Sequence, residues 1–268
     1  MKLAKYHGLG NEFLIALLSG LPENASSLAV TACDSLSGPG ADGLIIGLPS
    51  DENIIDVQMV LFNADGTSAE ISGNGLRCLA HHVHMNNNQN EIITILTEAG
   101  IREARIEQAE ADELTIKAGM GIPTLGLDLS SYDLDEKIGG AAISAGYVDV
   151  GNPHIVIQFD STEFIDIGIL GSSVEKSCSE EGINVHVIEI ISRSAIKMLT
   201  WERGVGITKA CGTGAVASAC KALSWGLVNQ QIEVIMPGGD AQVTIEDNEV
   251  YLMGKSKFIK EYEVDIGV

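Results

Sequence analysis

Positive charge is scarce in this sequence. It carries 16 Lys and Arg against 37 Asp and Glu, for a formal net charge of -21. Such a chain repels nucleic acid and anionic lipid over most of its surface, and no basic stripe relieves the repulsion, so neither a polynucleotide nor a membrane is expected as partner. Long apolar runs are missing too: none approaches the roughly 18 to 20 residues that a bilayer-spanning helix needs. The opening Met1-Lys2-Leu3-Ala4-Lys5-Tyr6 leads straight into HGLGNEF with no signal-like apolar core, which makes the cytoplasm the expected location. Cysteines are few and do not pair by spacing. Cys33, Cys78, Cys178, Cys211 and Cys220 are odd in number and include no CxxC, against a disulfide framework and against a structural zinc site. No GxGxxG follows a strand pattern, which disfavours a dinucleotide-binding sheet.

What is present is enough for two cores: 268 residues, of which 45% are hydrophobic. The most informative stretch begins at Trp201 and reads WERGVGITKACGTGA. Glu202 and Arg203 lead through two glycines to Cys211, which stands immediately before Gly212-Thr213-Gly214 and a run of small helix formers. A Gly-x-Gly turn that opens a helix aims backbone N–H groups and the positive dipole end at one point, where an anionic group such as a carboxylate is stabilised. A thiol in that field ionises more easily. A buried structural cysteine after a glycine turn fits the same residues. The balance moves because the arrangement recurs in Asn63 to Cys78, NADGTSAEISGNGLRC, where Ser72-Gly73-Asn74-Gly75 precedes another helical pattern through Leu76, Leu79, Ala80 and Val83. Two glycine-flanked capping positions predict two halves that share one site.

Other loops carry polar groups at strand ends. His7-Gly8-Leu9-Gly10-Asn11 joins two apolar strands, and Asn11 offers both a donor and an acceptor. In Gly40-Ala41-Asp42-Gly43 the aspartate reads as loop-fixing. Gly151-Asn152-Pro153-His154 ends one strand and begins another, and Gly182-Ile183-Asn184 introduces a further one. His81, His82 and His84 fall near the expected exposed end of the helix after Ser72 and lack the partner set of a metal site.

The paired glycine turns, with HGLGN, GNPH and the ERGxG before Cys211, make the chain resemble diaminopimelate epimerases, amino-acid racemases that use no cofactor. The resemblance spans nearly the whole sequence. It implies an α+β fold of two pseudo-symmetric lobes, each a curved, mostly antiparallel sheet wrapped around a central helix, with the active site in the cleft. It also implies a homodimer and a small diamino dicarboxylic acid as substrate, with neither metal nor cofactor. Carried onto this sequence, Cys211, Ser72, His154 and Glu202 become the catalytic set. Asn11, Asn63, Gly73, Asn74, Asn152, Asn184, Arg203, Gly212 and Thr213 become the substrate-binding set. By the same resemblance His154 lies near Cys211. The lobes are expected at 1–112, joined by a returning 258–268, and at 113–257.

The chain departs from the family pattern twice. Ser72 stands where the family has its first catalytic cysteine, and Ile207 where GxGET has glutamate. A serine alkoxide is several pKa units harder to form than a thiolate, at about 1.4 kcal/mol per unit. Serine can still donate a proton to a carbanion, so proton removal by Cys211 is the favoured direction. Ser72 keeps two alternatives open: a racemase or dehydratase for another amino acid on the same fold, and a non-catalytic amino-acid-binding relative.

Overall fold

The computed structural model describes residues 1–52, 54–86, 90–130, 138, 141–178, 182–247 and 249–264. The chain divides into a first unit of residues 1–119 with 253–268 and a second of residues 120–252.

In the first unit, β1 (Lys2–Gly8) and β2 (Asn11–Leu17) form a hairpin. Its two-residue turn puts Leu9 at φ 50° and Gly10 at φ 93°, the double positive φ that matches strand twist. His7 Nε2 accepts the Gly10 N–H at 3.1 Å and closes the turn. Helix α1 (Ala25–Cys33) then crosses over to β3 (Gly43–Leu48), which lies parallel to β2. β4 (Val57–Asn63) returns antiparallel, with the short β5 (Ser68–Ala69) on it. A second crossover, α2 (Gly73–Asn86), leads to β6 (Ile92–Thr97), parallel to β4. β7 (Gly100–Glu110) and β8 (Glu113–Gly119) follow as an antiparallel meander. The last strand, β17 (Glu249–Glu263), pairs with β8 and, antiparallel, with β1, which closes this sheet into a ring.

Helix α2 runs inside that ring, and its residues are buried from Gly73 through His81. A helix enclosed on all sides has to be apolar or internally bonded all round. β2 and β3 read as continuous apolar runs because both their faces are covered. Leu14, Ala16, Leu44 and Ile46 pack under Leu28 and Ala29 of α1, while Ile45 faces the start of α2 at Gly75.

The second unit repeats this connectivity. β9 (Thr124–Asp128) pairs with β10 (Ser144–Asp149), which forms a hairpin with β11 (Pro153–Gln158). Helix α3 (Ile167–Cys178) crosses to β12 (Asn184–Ser192), parallel to β11. β13 (Ala195–Glu202) returns antiparallel and carries the short β14 (Gly206–Thr208). Helix α4 (Gly212–Ser224) crosses to β15 (Gln231–Met236), parallel to β13, and β16 (Gly239–Glu246) follows through a Pro237-Gly238 turn. Ile155, Ile157, Val174, Val185 and Val187 form the core beneath α3. α4 is buried from Gly212 to Ala222.

Several details differ from the sequence expectation. β8 opens no second lobe: it is bonded to β7 residue by residue from Ala118 back to Glu113, so the division falls after Gly119 and not after 112. The expected break before 258 is absent, because β17 is one unbroken strand whose residues from 253 onward belong to the first unit. β9 carries no strand signal that alternation would reveal; all five of its residues are exposed. The centre of the polar turn expected at 86–90 lies outside the described residues. His81 and His84 are buried, not exposed, because the sheet encloses α2 to near its end. Their contacts diverge: His81 Nδ1 meets Ser256 Oγ at 3.1 Å, His82 Nδ1 the Tyr6 hydroxyl at 3.1 Å, and His84 Nδ1 the Asn90 carbonyl at 2.7 Å.

Burial pushes His81 and His82 down to about 4. Each is therefore neutral in the folded chain yet protonates near 6.5 when unfolded, so the unfolded state binds more protons between those values. Stability is predicted to fall as pH drops from 7 through 6.5 toward about 4. Between pH 7 and 5.5, before carboxylates titrate, the melting temperature in calorimetric scans should decline, and His81→Gln should flatten that decline.

Candidate active site

Both buried helices begin in the same way. Ser72 precedes α2, and its Oγ accepts the N–H of Gly75 at 3.1 Å while its carbonyl accepts that of Leu76 at 2.7 Å. Cys211 is the N-cap of α4 in extended conformation; its Sγ accepts the N–H of Gly214 at 3.3 Å and its carbonyl that of Ala215 at 2.9 Å. The two candidate proton-transfer atoms are thus capping atoms, held at the positive ends of helices that have no solvent to satisfy them.

In the first unit, Asn11 at the hairpin end and Asn74 in the first turn of α2 are joined: Asn74 Nδ2 donates to Asn11 Oδ1 at 2.6 Å. Gly73, Asn74 and Ser72 are consecutive and share that end of the unit with Asn11. Asn63, at the end of β4, is bonded separately. Its Nδ2 donates to Thr67 Oγ1 at 3.0 Å inside its own turn, and among the described residues it shares no hydrogen bond with Asn11, Ser72 or Asn74. Asp42 fixes loops, as expected: its Oδ2 accepts the Glu12 N–H at 2.7 Å and its carbonyl accepts that of Ala64 at 3.1 Å.

In the second unit a longer chain of contacts forms. His154 and Asn184 are register partners on the parallel strands β11 and β12. Asn184 Nδ2 donates to the Pro153 carbonyl at 2.9 Å, and its Oδ1 accepts the backbone N–H of Arg203 at 3.1 Å, tying the GNPH loop to the ERGxG loop. His154 Nε2 lies 2.8 Å from Asn152 Oδ1, and its Nδ1 lies 2.8 Å from His186 Nε2. Both imidazoles are fully buried, and burial drives both well below the usual histidine range, reinforced at His154 by His186 and then by Arg203. Since Asn152 Oδ1 can only accept, neutral His154 donates from Nε2 and accepts at Nδ1 from His186 Nε2–H. His186 Nδ1 then faces the Thr200 hydroxyl at 3.4 Å. The His186 ring lies against Gly214, where any Cβ would come within 2.2 Å of it. His154 therefore reaches the Cys211 turn through His186.

Around Cys211, Thr213 Oγ1 lies 3.4 Å from Sγ. Glu202 accepts a hydrogen bond from Thr208 Oγ1 at 2.6 Å. The ease of ionisation expected from the helix start is overridden: burial first, and the Glu202 charge second, push the thiol well above its ordinary range, against the lowering effect of Thr213 and the Gly214 N–H. In the ligand-free chain Cys211 is a thiol with a carboxylate beside it. Ile207 is 62% exposed and lies over Gly168 at the start of α3.

Sequence reading missed Arg77, His186, Thr200 and Thr208. Arg77 follows Asn74 by three positions and Gly73 by four, on one helical face, and His186 follows Asn184 by two on one strand face. Those spacings were the available signal.

Comparison with known proteins decides the family. The sequence pattern described as diaminopimelate epimerase matches residues 3–125 and 146–259. The chain belongs to the diaminopimelate epimerase family. It is 35% identical to the diaminopimelate epimerase of Halothermothrix orenii, covering 97% of this chain and 96% of that protein. To that of Caldanaerobacter subterraneus subsp. tengcongensis it is 36% identical, over 99% of this chain and all of its relative. The fold is also that of a solved hydroxyproline epimerase from Agrobacterium vitis, with a TM-score of 0.74, 14% identity, and coverage of 100% of this chain and 93% of that one. In this chain a hydroxyl caps one buried helix start and a thiol the other.

Because the Glu202 charge raises the Cys211 thiol, Glu202→Gln is predicted to make that thiol more acidic. Thiolate absorbance near 240 nm, taken as the difference from Cys211→Ala, should titrate at lower pH in the variant.

Proposed function

We propose that this chain interconverts LL- and meso-2,6-diaminopimelate by proton transfer at one α-carbon, in the supply of lysine and cell-wall precursors. The observation that carries this reading is Cys211 as the N-cap of a buried helix with Glu202 next to it, in a chain of this family. Glu202 takes the thiol proton, and the substrate's α-ammonium stabilises the thiolate left behind. Cys211 thiolate then takes the α-proton, and the electron pair of the broken C–H bond spreads into the substrate carboxylate. Backbone N–H groups of Gly73, Asn74, Gly212 and Thr213 stabilise the charge that develops on those oxygens. Ser72 donates a proton to the opposite face. Arg203 with Asn63, Asn152 and Asn184 grips the distal amino-acid end, a polar set suited to a second carboxylate and ammonium and ill suited to an apolar side chain.

The scheme uses the chain's own side-chain and backbone groups, without pyridoxal phosphate. A cytoplasmic location and a homodimer belong to the same reading. Free Cys33, Cys78, Cys211 and Cys220 support the first, and the family resemblance supports the second. Ser72 is the observation that favours a second reading, a racemase or dehydratase for another amino acid.

Solvent deuterium exchange at the α-position separates them. Wild-type protein should exchange LL-diaminopimelate, and Cys211→Ala should lower the rate by about 10²- to 10⁴-fold, the usual worth of a positioned acid or base. Exchange with other amino acids only would favour the second reading, and no exchange with any would leave a binding protein. Ser72→Cys should raise the rate at least about tenfold. No gain there would show that the hydroxyl is not what limits turnover.

A further inference from the structure

Arg77 is completely buried within α2, and its surroundings are unusual for a charge. Nη1 donates to the Gly73 carbonyl at 3.1 Å and Nη2 to Asn74 Oδ1 at 2.6 Å, while Nε is buried with no partner. The β17 backbone passes over the guanidinium at Gly254, where a Cβ would lie 3.2 Å from Cζ. Among the described residues the ionisable group that acts on Arg77 is Cys78, whose thiol burial pushes up to about 11, so no anion balances the guanidinium. Burial lowers Arg77 to about 10, which leaves it charged at neutral pH. An enclosed charge without a counter-ion is a poor stabiliser, since an apolar side chain of similar size does as well or better. Its value has to lie in what it does to its neighbours.

We propose that Arg77 is a positioning residue that sets the hydrogen-bond polarity of the Asn74–Asn11 pair, so that Asn11 meets the substrate as a donor and selects a carboxylate oxygen. A guanidinium has donors and no acceptor. It forces the oxygen of the Asn74 amide toward itself, which turns the Asn74 NH₂ toward Asn11. Asn11 must then answer with its oxygen, at 2.6 Å, and its own NH₂ is left pointing away from the pair. Each amide orientation follows from the one before. Without the arginine either amide can flip, and Asn11 can offer an ammonium its oxygen as readily as it offers a carboxylate its NH₂. This inference rests on the reading of Asn11 as a substrate-binding residue. It assigns Asn11 a carboxylate oxygen and makes Arg77 the reason.

The test is a double-mutant cycle on the full-length protein with Arg77→Met, Asn11→Ala and both together, titrating meso-diaminopimelate by calorimetry. Arg77→Met should melt within about 5 °C of wild type and bind about tenfold more weakly. Maximal α-exchange at saturation should change less than about threefold. The double variant should bind within about twofold of Asn11→Ala alone, because the arginine acts through the asparagine. Arg77→Lys, which keeps a charged donor, should recover most of the affinity. Unchanged affinity in Arg77→Met, or a full additional loss in the double variant, overturns the proposal. A readout without ligand guards against misfolding and against failure of the epimerase reading. In wild-type NMR spectra the Asn74 side-chain amide protons should be protected from exchange, and rapid exchange there also overturns it. A wild type that binds diaminopimelate but exchanges no α-proton would refute epimerisation while leaving the polarity to be read from affinity.

Discussion

Everything in this protein follows from burying an α-helix on every side. A helix inside a ring of strands has its first N–H groups cut off from water, and each unmet one costs on the order of 1–3 kcal/mol. In α2 the Ser72 hydroxyl meets one of them, and in α4 the Cys211 sulfur does. The atoms available for chemistry are thus the atoms the fold needs as caps. Their position is fixed by the same bond that lets the helix be buried.

The second unit shows how the same burial tunes the groups. The Cys211 thiol is raised by lost solvation and by Glu202, so it stays protonated in the ligand-free chain. His154 and His186 are likewise kept neutral, which makes them directional hydrogen-bond carriers: Thr200, His186, His154 and Asn152 form one ordered series. The first unit reaches a similar end by different means, with Arg77 and Asn74 orienting Asn11. In each unit the asparagine concerned sits at the turn of the first hairpin.

How much of this was legible follows from what each residue needed locally. The central helices announced themselves by Gly-rich starts after Ser72 and Cys211, because a close-packed helix start demands small residues. The apolar runs of β2, β3 and β12 were visible for the same reason: strands covered on both faces cannot alternate. β9 and the full length of β17 were not, since exposed or shared strands are defined by their neighbours and leave no period in their own residues. Ionisation was the point on which sequence misled. The Gly-Thr-Gly turn after Cys211 suggested an acidic thiol, and only the enclosure of α4 and the place of Glu202 reverse the sign. Arg77 and His186 escaped notice because a buried charge and a buried imidazole look, in sequence, like surface residues.

The unbroken run of β17 from Glu249 to Glu263 has a consequence for the order of assembly. The ring around α2 lacks one stave until residues 253 onward arrive, although every other strand of that unit has been translated by residue 119. During synthesis the first half must therefore wait on the ribosome as an open sheet for more than a hundred further residues, with strand edges unsealed. The Ser72 cap reaches its final setting only once residues 253 onward have joined that sheet.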